Sequence, residues 1–102
     1  FVVAEKLPQF PGGETELMKF LYANIKYPPR AQEAGIQGKV IVNFVVEKDG
    51  RITHIKIERG IGFGCDEESI RVLNKMPPWT PGEMGGKAVA VYFTLPITFR
   101  LN

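Results

Sequence analysis

The chain contains a single cysteine, Cys65, so no internal disulfide can hold it together and cysteine usage says nothing about the redox compartment. Charge of one sign is scarce too. Thirteen Lys and Arg stand against 11 Asp and Glu, leaving +2, and no basic stripe gathers them. That removes the electrostatic footprint of a nucleic-acid binder. Apolar runs stop after about ten residues, against the roughly 20 that span a bilayer, and the first residues lack the basic-then-apolar pattern of a signal peptide. One histidine beside one cysteine offers no ligand spacing for a metal, and no repeat or low-complexity tract occurs. Nothing calls for a cofactor.

What is present is enough for one domain: 102 residues, 44% hydrophobic and 24% charged, an ordinary globular composition. Phe1 stands where an initiator methionine would, so we expect a piece of a longer protein with any membrane anchor upstream.

"ETELMKFLYANI" puts Leu17, Phe20, Leu21 and Ile25 at helical spacing behind Glu14 and Glu16, predicting a helix from Gly13 to Asn24. "YPPRAQEAG" predicts a two-turn helix from Pro29 to Ala34, with prolines in its first turn and Gly35 as its stop. "KVIVNFVVE", the turn "KDG" and "RITHIKIER" read as a β-hairpin. "CDEESIRVLNKM" has acids in its first turn and Ile70, Leu73 and Met76 on one face, a third helix ended by Pro77 and Pro78. "WTPGEMGG" reads as a loop. From Val89 to Leu101 every second residue is apolar, the period of a half-buried strand, although Pro96 interrupts it. Proline has no N–H for a ladder, so this strand belongs at a sheet edge. The order is α+β: a three-stranded antiparallel sheet packed against two or three helices. The hairpin's first strand is expected in the middle, with the second and last strands parallel to each other.

Three features invite a chemical reading. "GIGFG" lies between a strand and a helix, but its alternating glycines miss the dinucleotide spacing, and Asp66, Glu67 and Glu68 crowd the site a phosphate would take. A thiol enzyme using Cys65 would gain from the helix N-terminus, yet the same three acids oppose thiolate formation. The one candidate base, His54, is expected on the side of Ile52 and Lys56, and the sequence identifies no partner that would orient it. Trp79, between prolines, reads as a core plug before it reads as a partner anchor. The exposed edge of the last strand is the feature best suited to a function.

Taken in order, "YPPRAQEAGIQGKVIVNFVVEKDGRI", "DEESIRVLNKMPPWTPG" and "GGKAVAVYFTLPITFRLN" resemble the C-terminal domain of TonB-family energy transducers. The resemblance covers residues 27–102, and residues 1–26 look like the extra helix that precedes this domain in Bacteroidetes-type members. It implies a periplasmic, non-enzymatic domain tethered to the inner membrane by an upstream segment that associates with ExbB and ExbD. The domain would grip the TonB box of an outer-membrane transporter by strand addition, so that proton-motive force drives uptake of siderophores, cobalamin or glycans. A rival role on the same fold is the interaction tail of a membrane sensor or peptidase. By position, Arg30 and Gln32 match the segment contacting the box and plug, and the receiving edge runs through Leu95, Ile97, Thr98, Phe99, Arg100 and Leu101. Pro96 leaves two registers: its nitrogen faces outward and the partner lacks one bond, or pairing begins at Ile97. Proline at Thr98 or Phe99 is expected to abolish capture without unfolding. The same edge would allow a strand-exchanged homodimer.

Overall fold

Strand β1 (Gly38–Val46) is the axis of the fold in the computed structural model, which describes residues 4–101; residues 1–3 of the leader and residue 102 lie outside the described residues. Val40, Val42, Phe44 and Val46 all point to one face and are fully buried, as a period of two requires. β1 pairs antiparallel on one side with β2 (Ile52–Arg59) and on the other with β5 (Val91–Phe99), so the sheet order is β2-β1-β5 and β2 runs parallel to β5. This is the predicted α+β sheet, with the proline-bearing strand at its edge.

The hairpin turn closes through Glu47 and Arg51, and Gly50 enters it at φ 89°. Beyond the turn, β2 departs from strict alternation. Its core-facing residues Ile52, Ile55 and Ile57 are spaced three and then two apart, so one residue must bulge. His54, at φ 54°, lies where the pairing register shifts between Asn43 and Val45. The expectation that Lys56 shares a face with Ile52 is thereby corrected: Lys56 pairs with Asn43 on the polar face. On that face Asn43, 5% exposed, donates to Glu58 Oε1 (2.9 Å) and accepts from Thr94 Oγ1 (2.8 Å), a hydrogen-bonded chain across all three strands.

Helix α1 (Glu14–Asn24) has two acids at its positive end and sends Leu17 and Leu21, four apart, into the core. α2 (Pro29–Glu33) starts on a proline that needs no donor and stops at Gly35 in the left-handed region; Ala31 is fully buried, which brings the short helix close. α3 (Cys65–Leu73) ends three residues before Met76, and Asn74, Lys75 and Met76 turn back onto its last carbonyls. Side chains from all three helices join the β1 face in one cluster with Trp79 and Phe99.

The stretch read as a loop is partly a ribbon. β3 (Gly82–Met84) pairs with β4 (Lys87–Val89) across Gly85 and Gly86, both at positive φ, the geometry of a two-residue hairpin turn. Ala90 then separates β4 from β5, which shortens the predicted last strand. The leader zips onto this region, Gln9 exchanging backbone bonds with Thr80 and Lys6 with Glu83.

One ion pair ties α3 to the end of α1. Glu68 receives Arg71 Nε and Nη2 at 2.7 Å each and the Lys26 N–H at 2.6 Å, while Arg71 also reaches the Asn24 carbonyl at 2.9 Å. The Arg71 hydrogen bonds, aided by Lys26, hold the Glu68 carboxyl below its ordinary range against the opposing effect of burial. A depressed carboxylate stabilises fully above its unfolded-state pKa and loses that contribution as pH falls through the folded value. Glu68→Gln is expected to cost about 2 kcal/mol at neutral pH and to flatten the acid limb of stability. Urea midpoints at neutral and acid pH read both effects.

Candidate functional site

The outer flank of β5 is the candidate. β5 pairs with β1 from Gly38↔Phe99 to Val46↔Val91 without a register shift, and no strand among the described residues pairs on its other side. In an antiparallel ladder, alternate residues direct their backbone groups to the neighbour and the rest direct theirs away. Pro96, opposite Ile41 in the unbroken ladder, fits without loss only in the outward set. Leu101, of the other parity, agrees: its N–H is held by Gln37 Oε1 at 2.7 Å, next to the start of β1. Thr94 and Thr98 therefore aim their N–H groups at the open flank, and Pro96 contributes only a carbonyl between them.

The same alternation sorts the residues expected at this site. Leu95, Ile97 and Phe99 are buried in the core and turn their backbone toward β1. Phe99 packs edge-on against Tyr27, ring centroids 5.6 Å apart. Proline at Phe99 would thus disrupt core and ladder together, so Thr98 alone offers a clean test. Thr98 and Arg100 are exposed beside the flank, and Leu101 is half-buried. Arg30 and Gln32 lie exposed on α2 and line neither groove beside β5.

Sequence reasoning missed what stands beside the edge. α1 runs alongside β5 in the same direction, leaving two grooves between them. One, of about 310 Å³, lies between Met18–Ile25 and Pro96–Arg100. The other, of about 380 Å³, lies between the leader from Leu7, the first turns of α1, and Phe93–Pro96. Met18 and Pro96 line both and form the ridge between them.

The chemical readings weaken on inspection of the loops. Asp66 Oδ1 accepts the N–H groups of Ile61 (2.9 Å) and Gly62 (3.3 Å), taking the donors a phosphate would need. The Cys65 thiol is buried, and burial together with Asp66, Glu67 and Glu68 pushes its pKa up, against thiolate chemistry. His54 sits beside Thr53 (3.0 Å) and Glu47 (3.9 Å) on the β2 bulge. Among the described residues no group of three or more His, Cys, Asp or Glu could hold a metal, and no helix is long and apolar enough to cross a membrane.

Comparison with known proteins supplies the family. The family model for the Gram-negative bacterial TonB protein C-terminal region matches residues 23–101. Protein TonB of Xanthomonas campestris pv. campestris is 30% identical over 78 residues, covering 76% of this chain and 34% of that protein. Protein TonB of Pseudomonas aeruginosa is 32% identical over 76 residues, covering 74% of this chain and 22% of that protein. The chain thus spans about a third or less of the curated relatives it matches. Among solved structures, the Helicobacter pylori TonB C-terminal domain superposes with a TM-score of 0.63 at 28% identity, covering 90% of this chain and 87% of that one. The Pseudomonas aeruginosa TonB C-terminal domain gives 0.60 at 34% identity, covering 74% of this chain and 77% of that one. An edge-open β2-β1-β5 sheet backed by helices, matched in sequence over residues 23–101, makes this chain a member of the TonB C-terminal domain family.

Proposed function

We propose that this domain is the periplasmic end of a TonB-like energy transducer and captures the TonB box of an outer-membrane transporter by strand addition to β5. The observation that carries the reading is the unpaired flank of β5, with Pro96 turned outward and donors at Thr94 and Thr98 on either side. An extended peptide laid there accepts from Thr94 and Thr98 and forgoes one bond opposite Pro96, which favours the register in which the proline nitrogen faces the visitor. An upstream segment engaging ExbB and ExbD would supply proton-motive force, and the domain would pass it on mechanically for nutrient uptake, with no bond made or broken covalently. The leader and α1 up to residue 22 precede the residues the family model matches, in keeping with a Bacteroidetes-type member.

Main-chain bonds contribute a net of about 0.5–1.5 kcal/mol each, so a ladder of a few binds weakly and each one counts. Thr98→Pro removes an outward donor while leaving the bonds to β1 and the core intact. It is expected to weaken a TonB-box peptide about tenfold with the thermal midpoint little changed. Backbone amide NMR of the unsubstituted domain, titrated with the peptide, should show shifts concentrated from Thr94 to Arg100. Shifts absent from that stretch, or equal binding by the Thr98→Pro protein, would overturn the reading.

A further inference from the structure

Three of the six exposed large apolar side chains among the described residues, Leu7 (67% exposed), Met18 (47%) and Tyr22 (93%), line the grooves between α1 and β5, while Phe63, Met84 and Tyr92 lie elsewhere. Apolar surface left open along a channel marks a binding site rather than a packing accident. The channel's charges are ordered as well. Arg100 is the one charged residue lining the groove beside the end of β5, and Glu14 is the one lining the groove beside its middle, among the described residues. Both α1 up to residue 22 and the leader lie outside the residues 23–101 that the family model matches.

Resting on the strand-addition reading, we infer that the channel selects its peptide by side chain: two apolar residues four apart, flanked by an acid at the Arg100 end and a base at the Glu14 end. The spacing follows from the ladder. The β5 walls of the two grooves, Pro96–Arg100 and Phe93–Pro96, are centred between three and four residues apart. A strand rises about 3.3 Å per residue and alternates faces, so only an even spacing sends two side chains toward α1, and four residues, about 13 Å, bridges the Met18–Pro96 ridge where two would not. The apolar pair then supplies what the short ladder lacks, and the charges set the direction in which the peptide lies.

The test uses an eight-residue peptide with leucines four apart, aspartate before the first and lysine after the second, together with its reversed sequence and versions in which either leucine is alanine. Calorimetry is run on the unsubstituted domain, on Thr98→Pro, and on Met18→Glu, which alters an exposed ridge residue without touching β5. The expected result is that one chain direction binds at least tenfold tighter than the other, each alanine costs several-fold, and both protein variants weaken binding about tenfold. If Thr98→Pro weakens binding while Met18→Glu and the alanine peptides bind as before, the channel inference is overturned and strand addition stands. If Met18→Glu weakens binding while Thr98→Pro does not, strand addition falls and the channel as its second wall falls with it. No binding by any peptide overturns the inference; a TonB-box peptide that still shifts the Thr94–Arg100 amides would then leave strand addition in place.

Discussion

Trp79→Ala is expected to destabilise the domain by about 3–5 kcal/mol, the range for emptying a large aromatic site in a core. Trp79 is 3% exposed and meets Phe10, Phe44 and Phe93 edge-on or nearly so, with ring centroids 5.9, 5.4 and 5.2 Å away. These three rings come from the leader, β1 and β5, so the indole joins parts that no single strand ladder connects. Against a total stability of about 5–15 kcal/mol for a domain of this kind, the loss is a large share of the whole and raises the unfolded-to-folded ratio by roughly 10²–10⁴. Trp79→Phe should cost far less. The indole N–H is buried without an acceptor among the described residues, and phenylalanine removes that orphan while keeping an aromatic edge in place. Urea unfolding followed by circular dichroism separates the two variants; equal losses would show that the ring contacts do not carry the stability.

Gly50→Ala is the second large effect, expected at about 2–5 kcal/mol from left-handed strain and overpacking together. Gly50 sits at φ 89°, and a Cβ there would lie 2.1 Å from the Trp79 carbonyl oxygen. The obstacle is backbone, not a side chain that can swing aside. Gly50 also accepts the Trp79 N–H at 2.8 Å, so the hairpin turn and the tryptophan loop are fastened at one point. Gly85→Ala is the control: φ 58° with nothing within 4 Å of a new Cβ, hence strain alone and about 1 kcal/mol. Thermal midpoints of the two variants measure the difference. Because Gly50 and Trp79 touch, their losses should fail to add in the double variant.

These residues also show what a linear reading reaches and where it stops. The acids of α1 and α3, the alternation of β1 and the proline in β5 are local signals, and each produced an element where it was expected. Pro96 carried a further message. A proline in a continuous ladder fixes the parity of its whole strand, which sorts Thr94 and Thr98 outward and Leu95, Ile97 and Phe99 inward. The bulge at His54 was written in the uneven spacing of Ile52, Ile55 and Ile57, and the β3–β4 turn in the Gly85-Gly86 pair, but strands of three residues are too short for alternation to announce. The position of α1 beside β5 had no local signature. Leu17 and Leu21 say that the helix has a buried face; only the tertiary fold decides which edge it guards.

The leader's attachment has a mechanical consequence. Backbone bonds from Gln9 to Thr80 and from Lys6 to Glu83 fasten the N-terminal segment to the β3 region before the chain reaches α1. A tug arriving from that side loads these few links one after another, so they unzip at low tension and let out slack. The nine-pair seam between β1 and β5, pulled along its length, shares the load and holds. Between its N-terminal segment and its sheet the domain thus has a yielding attachment in series with a stiff one, and a gentle pull on that segment would lengthen the first before it strains the second.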